Sequence, residues 1–302
     1  MTAPRVAVLT VTTNAAAHIR EYAAAVARLR YPALDLWIVD NGSADGTAVL
    51  LRELLPQAHL LENGRNLGFT GACNRALREI LTADPRADFV LFLNDDTEPE
   101  PDLVERLLAL ADERTLVAPK TYLTGQPGIL DDAVGTFDWT RGRWRERTYG
   151  RPERPSDTYA HAVDVANLSC LLVPRACFET IGLLDDAFFV YYDDTDFCRR
   201  ARKAGFRILF QPEAVVYHRK GATIGGQATP FGVYYLTRNR PYLIRKHVSP
   251  WRFALFLLYF FPARAARVGL WALQGRWDLC RATWWGIRDF VRGDMGPGRF
   301  AR

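Results

Sequence analysis

Four short runs of β-branched and aliphatic residues, VAVLTV, LDLWIVD, HLLE and DFVLFLN, alternate with amphipathic stretches over the first 120 residues. This alternation constrains the fold more than any other feature of the chain. Runs that are apolar at nearly every position suit strands covered on both faces, which calls for helices on both sides of a mostly parallel sheet. The spacing predicts helices near 15–30, 47–55, 70–81 and 101–111, hence an open, doubly wound α/β core. Ligands of such sheets bind beyond the carboxyl ends of the strands, and three polar clusters fall there, at 12–14, 40–43 and 94–96.

Periodicity fades over 125–156 into Gly, Pro, Arg and Trp, which reads as a long irregular excursion or hairpin shaping a substrate pocket. VANLSCLLV then reads as a buried strand, Pro174 as the opening of a short helix, and Asp194 to Ala204 as a helix ended by Gly205. The Gly-rich GATIGGQATP that follows His218 reads as mobile. At 302 residues, 49% hydrophobic and 24% charged, the chain can bury a large core, so disordered, miniprotein and multispanning classes are excluded. Five cysteines, an odd number without a C-x-x-C pair, argue against a disulfide framework and for a reducing compartment. The first apolar run suits a buried strand better than the core of an export signal.

The net charge of +5 hides an asymmetry. Residues 1–218 carry 24 Lys and Arg against 31 Asp and Glu, and residues 219–302 carry 15 against 3, so an acidic body precedes a basic end. Such blocks face nucleic acid, anionic lipid or phosphorylated ligands. In this end, basic residues surround FALFLLYFF, and Trp271, Trp277, Trp284 and Trp285 follow. Pro262, Arg264 and Arg267 interrupt any 20-residue spanning helix, whereas Trp and Arg suit a headgroup layer. The expected division is a catalytic domain over 1–240 and a helical, membrane-associating segment over 241–302, peripheral to an anionic membrane. A buried helical hairpin is the plainer alternative. No nucleic-acid reader motif is present, so nucleic acid is not expected as a partner.

Four clusters carry chemistry. In LWIVDNGSADGT, Asp40 ends a strand, where it either forms a turn or accepts bonds from a ribose hydroxyl or base N–H. In LFLNDDTEPEP, Asp95 and Asp96 follow an intensely apolar strand, either as turn formers or as ligands for a hard divalent cation completed by phosphate oxygens. In YYDDTDFCRRARKAGF, Asp193, Asp194 and Asp196 precede arginines in the order the helix dipole favours, yet three carboxylates exceed capping needs. One of them, desolvated by aromatic neighbours, would serve as a general base. In VVYHRKGAT, His218 is a structural residue or a metal ligand, with adjacent cations able to hold phosphate.

These blocks occur in the order TVTTN, VDNGSADGT, RNLGFTGACN, LNDDT, ETIGLLDDAFFVYYDDTDFCRRARKAGF and VVYHRKGAT, over about residues 6 to 223. The chain thereby resembles the family-2 glycosyltransferases of the GT-A fold, and within them the bacterial rhamnosyltransferase-like subgroup. The resemblance implies an open mixed sheet flanked by helices and an inverting transfer from a nucleotide-diphosphate sugar to a glycan or lipid-linked acceptor. The setting it implies is cell-surface polysaccharide assembly at the cytoplasmic face of the membrane, and a homodimer is compatible with it. Thr12, Asn14 and Asp40 would hold the nucleoside, with Asn66, Gly68 and Asn74 forming the adjacent wall. Asp96, from the counterpart of a DxD motif, and His218 would bind Mn²⁺ or Mg²⁺, with Asp95 and Lys220 beside the diphosphate. Asp194 would be the catalytic base. Asn94 stands where the first aspartate of DxD is usual, and Asp193 where glutamate is usual.

The competing readings are a metal-dependent nucleotidyltransferase and a non-enzymatic basic protein binding membrane or nucleic acid. A glycosidase needs two carboxylates flanking one bond and no nucleotide or metal site, which does not account for Asp40, Asp96 and His218 together. No P-loop-type Gly-rich, Lys-containing phosphate loop is present.

Overall fold

The computed structural model describes residues 3–145, 148–219 and 229–300. Lys220 and residues 221–228 of the glycine-rich stretch lie outside them. The elements run β1 (Val6–Thr12), α1 (Ile19–Val26), β2 (Leu34–Asp40), α2 (Thr47–Leu54), β3 (His59–Glu62), α3 (Gly68–Thr82), β4 (Phe89–Leu93), β5 (Thr97–Pro99), α4 (Leu103–Leu108) and β6 (Thr115–Leu123). They continue with β7 (Val134–Asp138), β8 (Arg143–Arg145), β9 (His161–Ala162), β10 (Val165–Ala166), β11 (Cys170–Pro174), α5 (Arg175–Ile181), α6 (Asp193–Lys203), β12 (Arg207–His218), α7 (Pro230–His247), α8 (Pro250–Leu273) and α9 (Trp277–Arg292).

The main sheet has the order β3-β2-β1-β4-β11-β6-β12-β5, with β9 pairing on β12. Its first four strands are parallel, β11 is antiparallel to both neighbours, and β12 returns parallel to β6. The sheet is therefore mixed. Apolar side chains alternate between two cores, one beneath α1, α2 and α4, the other beneath α3, α5 and α6. That two-sided burial is why the strand sequences carry almost no polar residues until they reach the rim. The irregular excursion contains the hairpin β7–β8, extended by β10 into a second, three-stranded sheet. VANLSCLLV is two strands rather than one, since Asn167 Oδ1 accepts from the Ser169 amide and breaks the run.

Two expectations for the C-terminal region are revised. A boundary at residue 240 falls inside α7, whose Leu243 and Ile244 pack in the main core and whose Arg238 and Asn239 are fully buried. The chain turns instead at Val248–Ser249, between α7 and α8. α8 is also continuous through Pro262, long and apolar enough by length and composition to cross a membrane, with only Phe256 and Phe260 buried. α9 packs back on α7, where Gly286 allows backbone approach: a Cβ there would lie 2.8 Å from the Tyr234 carbonyl oxygen.

Candidate active site

Asp40 ends β2 in register with Thr12 at the end of β1, and both are buried. Asp40 Oδ2 accepts from the Ser43 amide at 3.1 Å, while its Oδ1 is buried without a hydrogen-bond partner. A buried carboxylate oxygen left unmatched is costly, so Asp40 is a ready acceptor for a donor that enters the rim. Asn14 holds a left-handed conformation (φ 51°) and is locked to the β2–α2 loop, its amide donating to Ser43 Oγ and its Oδ1 accepting from the Ala44 amide. Its side-chain oxygen thus orders the loop beside the cleft.

The wall residues are likewise tied within the fold. Asn41 bridges Asn66 Oδ1 and the Asn63 side chain, and Asn66 Oδ1 also accepts from the Gly68 amide. Gly68 has φ 74°, and a Cβ there would stand 2.4 Å from the Phe189 ring and 2.6 Å from the Phe189 carbonyl oxygen. Asn74 is fully used: its amide donates to the Leu184 carbonyl and Asp186, and its oxygen accepts from the Leu184 amide. Asn74 therefore clamps the segment that leads into α6. We expect Gly68→Ala to cost about 2 kcal/mol or more, from left-handed strain plus overpacking on Phe189, visible as a lower midpoint in urea unfolding.

Asp95 and Asp96 point to different partners. Asp95 is buried with His18 Nε2 3.8 Å away, and burial pushes its pKa up despite that imidazole. It serves the rim from below, beside α1, a partnership that no sequence motif announced. Asp96 Oδ1 lies 3.1 Å from His218 Nε2, with both side chains almost covered. His218 Nδ1 lies 2.7 Å from Asp131 Oδ2. Burial opposes a charge on His218, but the hydrogen bonds to Asp131 and Asp96 outweigh it and push the pKa up to about 9. Asp131 was missed because it sits in the aperiodic stretch, where its one signal is the pair Asp131–Asp132.

This arrangement fits a divalent cation. Nδ1 is directed at Asp131 and Nε2 at Asp96, the carboxylate-oriented histidine found at metal sites, and a cation bound between Nε2 and Asp96 would displace the Nε2 proton. Among the described residues no third His, Cys, Asp or Glu completes a cage, which suits a hard cation that takes few protein ligands and shares its shell with phosphate oxygens.

Asp194 lies across the rim in the first turn of α6, half-buried, with Oδ1 accepting from the Thr195 hydroxyl at 3.0 Å. Trp144 Nε1 in turn donates to Thr195 Oγ1. Burial raises Asp194 to about 6 despite the Thr195 bonds, and burial together with the neighbouring Asp194 charge raises Asp193 further. Asp196 departs from both: burial would raise it, but His247, Arg200 and Lys246 hold it down at about 2. The sequence cluster thus divides into a base-like pair and a structural anion. Asp194 makes no hydrogen bond to Asp40, Asp96 or His218 among the described residues. It is linked to the Asp40 end by contact, through Asn41, Asn66, Gly68 and the Phe189 carbonyl that accepts from the Thr70 amide.

The approach to Asp194 is strained. Phe189, Tyr191 and Tyr192 all have φ between 64° and 67°, a conformation that costs such residues on the order of 1–3 kcal/mol each. α7 supplies the restraint. Asn239 Nδ2 donates to the carbonyls of Phe188 and Val190, and Arg238, stacked on Tyr234 and Tyr235, donates to those of Phe188 and Gly296. Arg238 falls in the basic end of the chain, where nothing local in the sequence distinguishes a buried arginine from an exposed one.

A mixed sheet of this strand order, with acids and a histidine gathered at its carboxyl rim, defines a glycosyltransferase of the GT-A class. The model of glycosyl transferase family 2 matches residues 7–165, more than half of the chain, and the chain belongs to that family. It is 27% identical over 269 residues to an N-acetylglucosaminyl-diphospho-decaprenol L-rhamnosyltransferase of Mycobacterium tuberculosis, covering 81% of this chain and 86% of that protein. It is 21% identical to a dTDP-rhamnosyl transferase of Shigella flexneri, covering 82% of each. Among solved structures it is similar to a mannosyltransferase from Pyrobaculum calidifontis in complex with GDP-Man and Mn²⁺, at TM-score 0.59 and 18% identity over 96% of this chain and 88% of that one.

Proposed function

We propose that this glycosyltransferase moves a sugar, with inversion, from a nucleotide-diphosphate donor to a hydroxyl of a lipid-linked glycan during cell-surface polysaccharide assembly. The observation that carries the reading is the buried Asp96–His218 contact backed by Asp131, on the same strand-end rim as Asp40. Thr12 and Asp40 bind the nucleoside, the unmatched Asp40 oxygen accepting from it. Asp96 and His218 hold Mn²⁺ or Mg²⁺, which when bound offsets the charge that builds on the departing diphosphate. Asp194, with a pKa near 6, removes the acceptor proton at neutral pH. A single attack from the face opposite the leaving group inverts the anomeric carbon. The relatives' printed names, one a transferase acting on a diphospho-decaprenol and one a dTDP-rhamnosyl transferase, support this substrate class.

The test is a panel of nucleotide-sugars with and without Mn²⁺, scored for products. Nucleoside diphosphate release supports glycosyl transfer. Pyrophosphate release points to a nucleotidyltransferase, and release of neither overturns the reading.

The apolar face of α8 supports peripheral contact with an anionic membrane. Trp251, Leu255, Leu258 and Leu273 are exposed along one stripe, Leu258 by 73%, and Trp277, Trp284 and Val291 repeat at seven-residue spacing on α9 with Arg281 and Arg288 between them. Aromatic and basic residues on such stripes suit the headgroup layer. Removing the segment from Trp251 onward would also strip α9 from α7, so point changes are the cleaner probe. Leu255→Asp with Leu258→Asp is expected to lower partition onto phosphatidylglycerol vesicles by tenfold or more, given about 1.5–3 kcal/mol per buried leucine. Unchanged co-sedimentation would reject this contact.

A further inference from the structure

The basic residues of the C-terminal helices are not matched alike. Lys246 pairs with Asp185 and Asp196, Arg276 with Asp278, and Arg288 with Asp289. Arg240, Arg264 and Arg267 have no carboxylate within ion-pair distance among the described residues, although they lie close together. The guanidinium carbons of Arg240 and Arg264 each stand 5.6 Å from the centroid of the same buried ring, Phe260. Arg264 is near enough to Tyr192, Arg240 and Arg267 to feel their charge. Arg240 is fixed by donating to the Arg141 carbonyl, and Arg141 in turn lies over the Tyr259 ring. Arg264 is thus desolvated against aromatic surface beside two like charges, a cost that an anion seated among them would offset.

Tyr192 immediately precedes Asp193 and Asp194, so the cluster adjoins the start of the helix that carries the base. Two residues span at most about 7 Å of chain, on the order of one sugar ring. Arg264 and Arg267 stand on the face of α8 that carries the buried Phe256 and Phe260, and the exposed Phe261 and Leu270 lie one turn before Arg264 and one turn after Arg267.

We propose that Arg240, Arg264 and Arg267 form a subsite for the diphosphate of an isoprenoid-diphosphate-linked acceptor, placing its first sugar at Asp194 and its hydrocarbon chain along α8. The proposal rests on the lipid-linked acceptor of the proposed function and deepens it. Guanidinium forks match phosphate oxygens in geometry as well as charge, so a diphosphate is favoured over a monophosphate and arginine over lysine.

The experiment titrates farnesyl diphosphate, farnesyl monophosphate and inorganic pyrophosphate into the full chain by calorimetry, with EDTA present so that no divalent cation draws diphosphate to Asp96 and His218. Farnesyl diphosphate is expected to bind the wild type at least tenfold more tightly than either other probe. Arg264→Gln with Arg267→Gln is expected to weaken it by about 100-fold, on the order of tenfold per lost charge-assisted contact. Arg264→Lys with Arg267→Lys, which keeps the charge and controls for folding, should recover part of the affinity. Hydrolysis of the donor without acceptor should be unchanged in both variants. Equal farnesyl diphosphate binding by wild type and Gln variant overturns the subsite. Pyrophosphate binding as tightly as farnesyl diphosphate overturns the lipid acceptor in favour of a free phosphate. Loss of phosphatidylglycerol vesicle binding with farnesyl diphosphate binding intact overturns it in favour of general membrane attraction. If the wild type releases nucleoside diphosphate from no donor, the proposed function fails while these binding arms still report on the subsite.

Discussion

Asp194→Asn is expected to lower turnover by about 10² to 10⁴ while leaving donor binding intact. The substitution keeps the side chain's size and its hydrogen bond with the Thr195 hydroxyl, and removes only the capacity to take a proton at the start of α6. The cleft at Asp40, Asp96 and His218 shares no hydrogen bond with Asp194, so the dissociation constant of the donor should move little. Wild-type turnover in the variant would reject the assignment. The pH profile gives a second reading of the same carboxylate. Burial holds Asp194 at about 6, and a base works only when deprotonated, so kcat should climb as pH rises through that region and level off above it. Asp193 sits higher still because burial and the Asp194 charge both oppose its ionisation, and the two titrate as a coupled pair. Asp193 is already neutral in the region where Asp194 ionises, so Asp193→Asn, which makes that neutral form permanent, should leave the rising limb near 6 with activity largely retained.

The parts of this architecture that were legible in the sequence are those in which one local pattern has one physical cause. Runs such as DFVLFL could only be strands covered on both faces, and their ends marked the rim where Asp40, Asp96 and His218 are found. The parts that were not legible depend on partners distant in the chain. Asn74 looks like any helical asparagine until the segment at Leu184 folds onto it 110 residues later. Arg238 and Asn239 fall in the basic end of the chain, yet they hold the backbone carbonyls of a strained loop about 50 residues away. Phe189, Tyr191 and Tyr192 carry no glycine to announce their left-handed conformation, which is imposed by packing against α7 and α9 rather than chosen by the residues themselves. The uninterrupted α8 has a related cause. A proline removes one amide donor from a helix, and Pro262 lies on an exposed part of α8 where the loss of that bond is tolerated.

Asp131→Asn should produce the other large effect, on metal dependence. Asp131 accepts at His218 Nδ1, and its buried carboxylate holds the ring with Nε2 directed at Asp96. Asparagine fills the same space and can still accept from Nδ1 but lacks the charge, so the imidazole loses part of its basicity as a ligand. Loss of such an outer partner typically costs 10- to 100-fold in metal affinity or activity. The Mn²⁺ concentration needed for half-maximal rate should rise by about that factor, with the maximal rate largely recovered at saturating Mn²⁺, and a direct Mn²⁺ titration by electron paramagnetic resonance should show the same weakening without any turnover. His218→Ala removes the ligand itself, so excess metal should not restore it. A wild-type Mn²⁺ requirement in Asp131→Asn would mean that His218 serves only to join two buried acids. Rescue of Asp131→Asn by metal alongside failure to rescue His218→Ala separates the residue that touches the cation from the one that aims it.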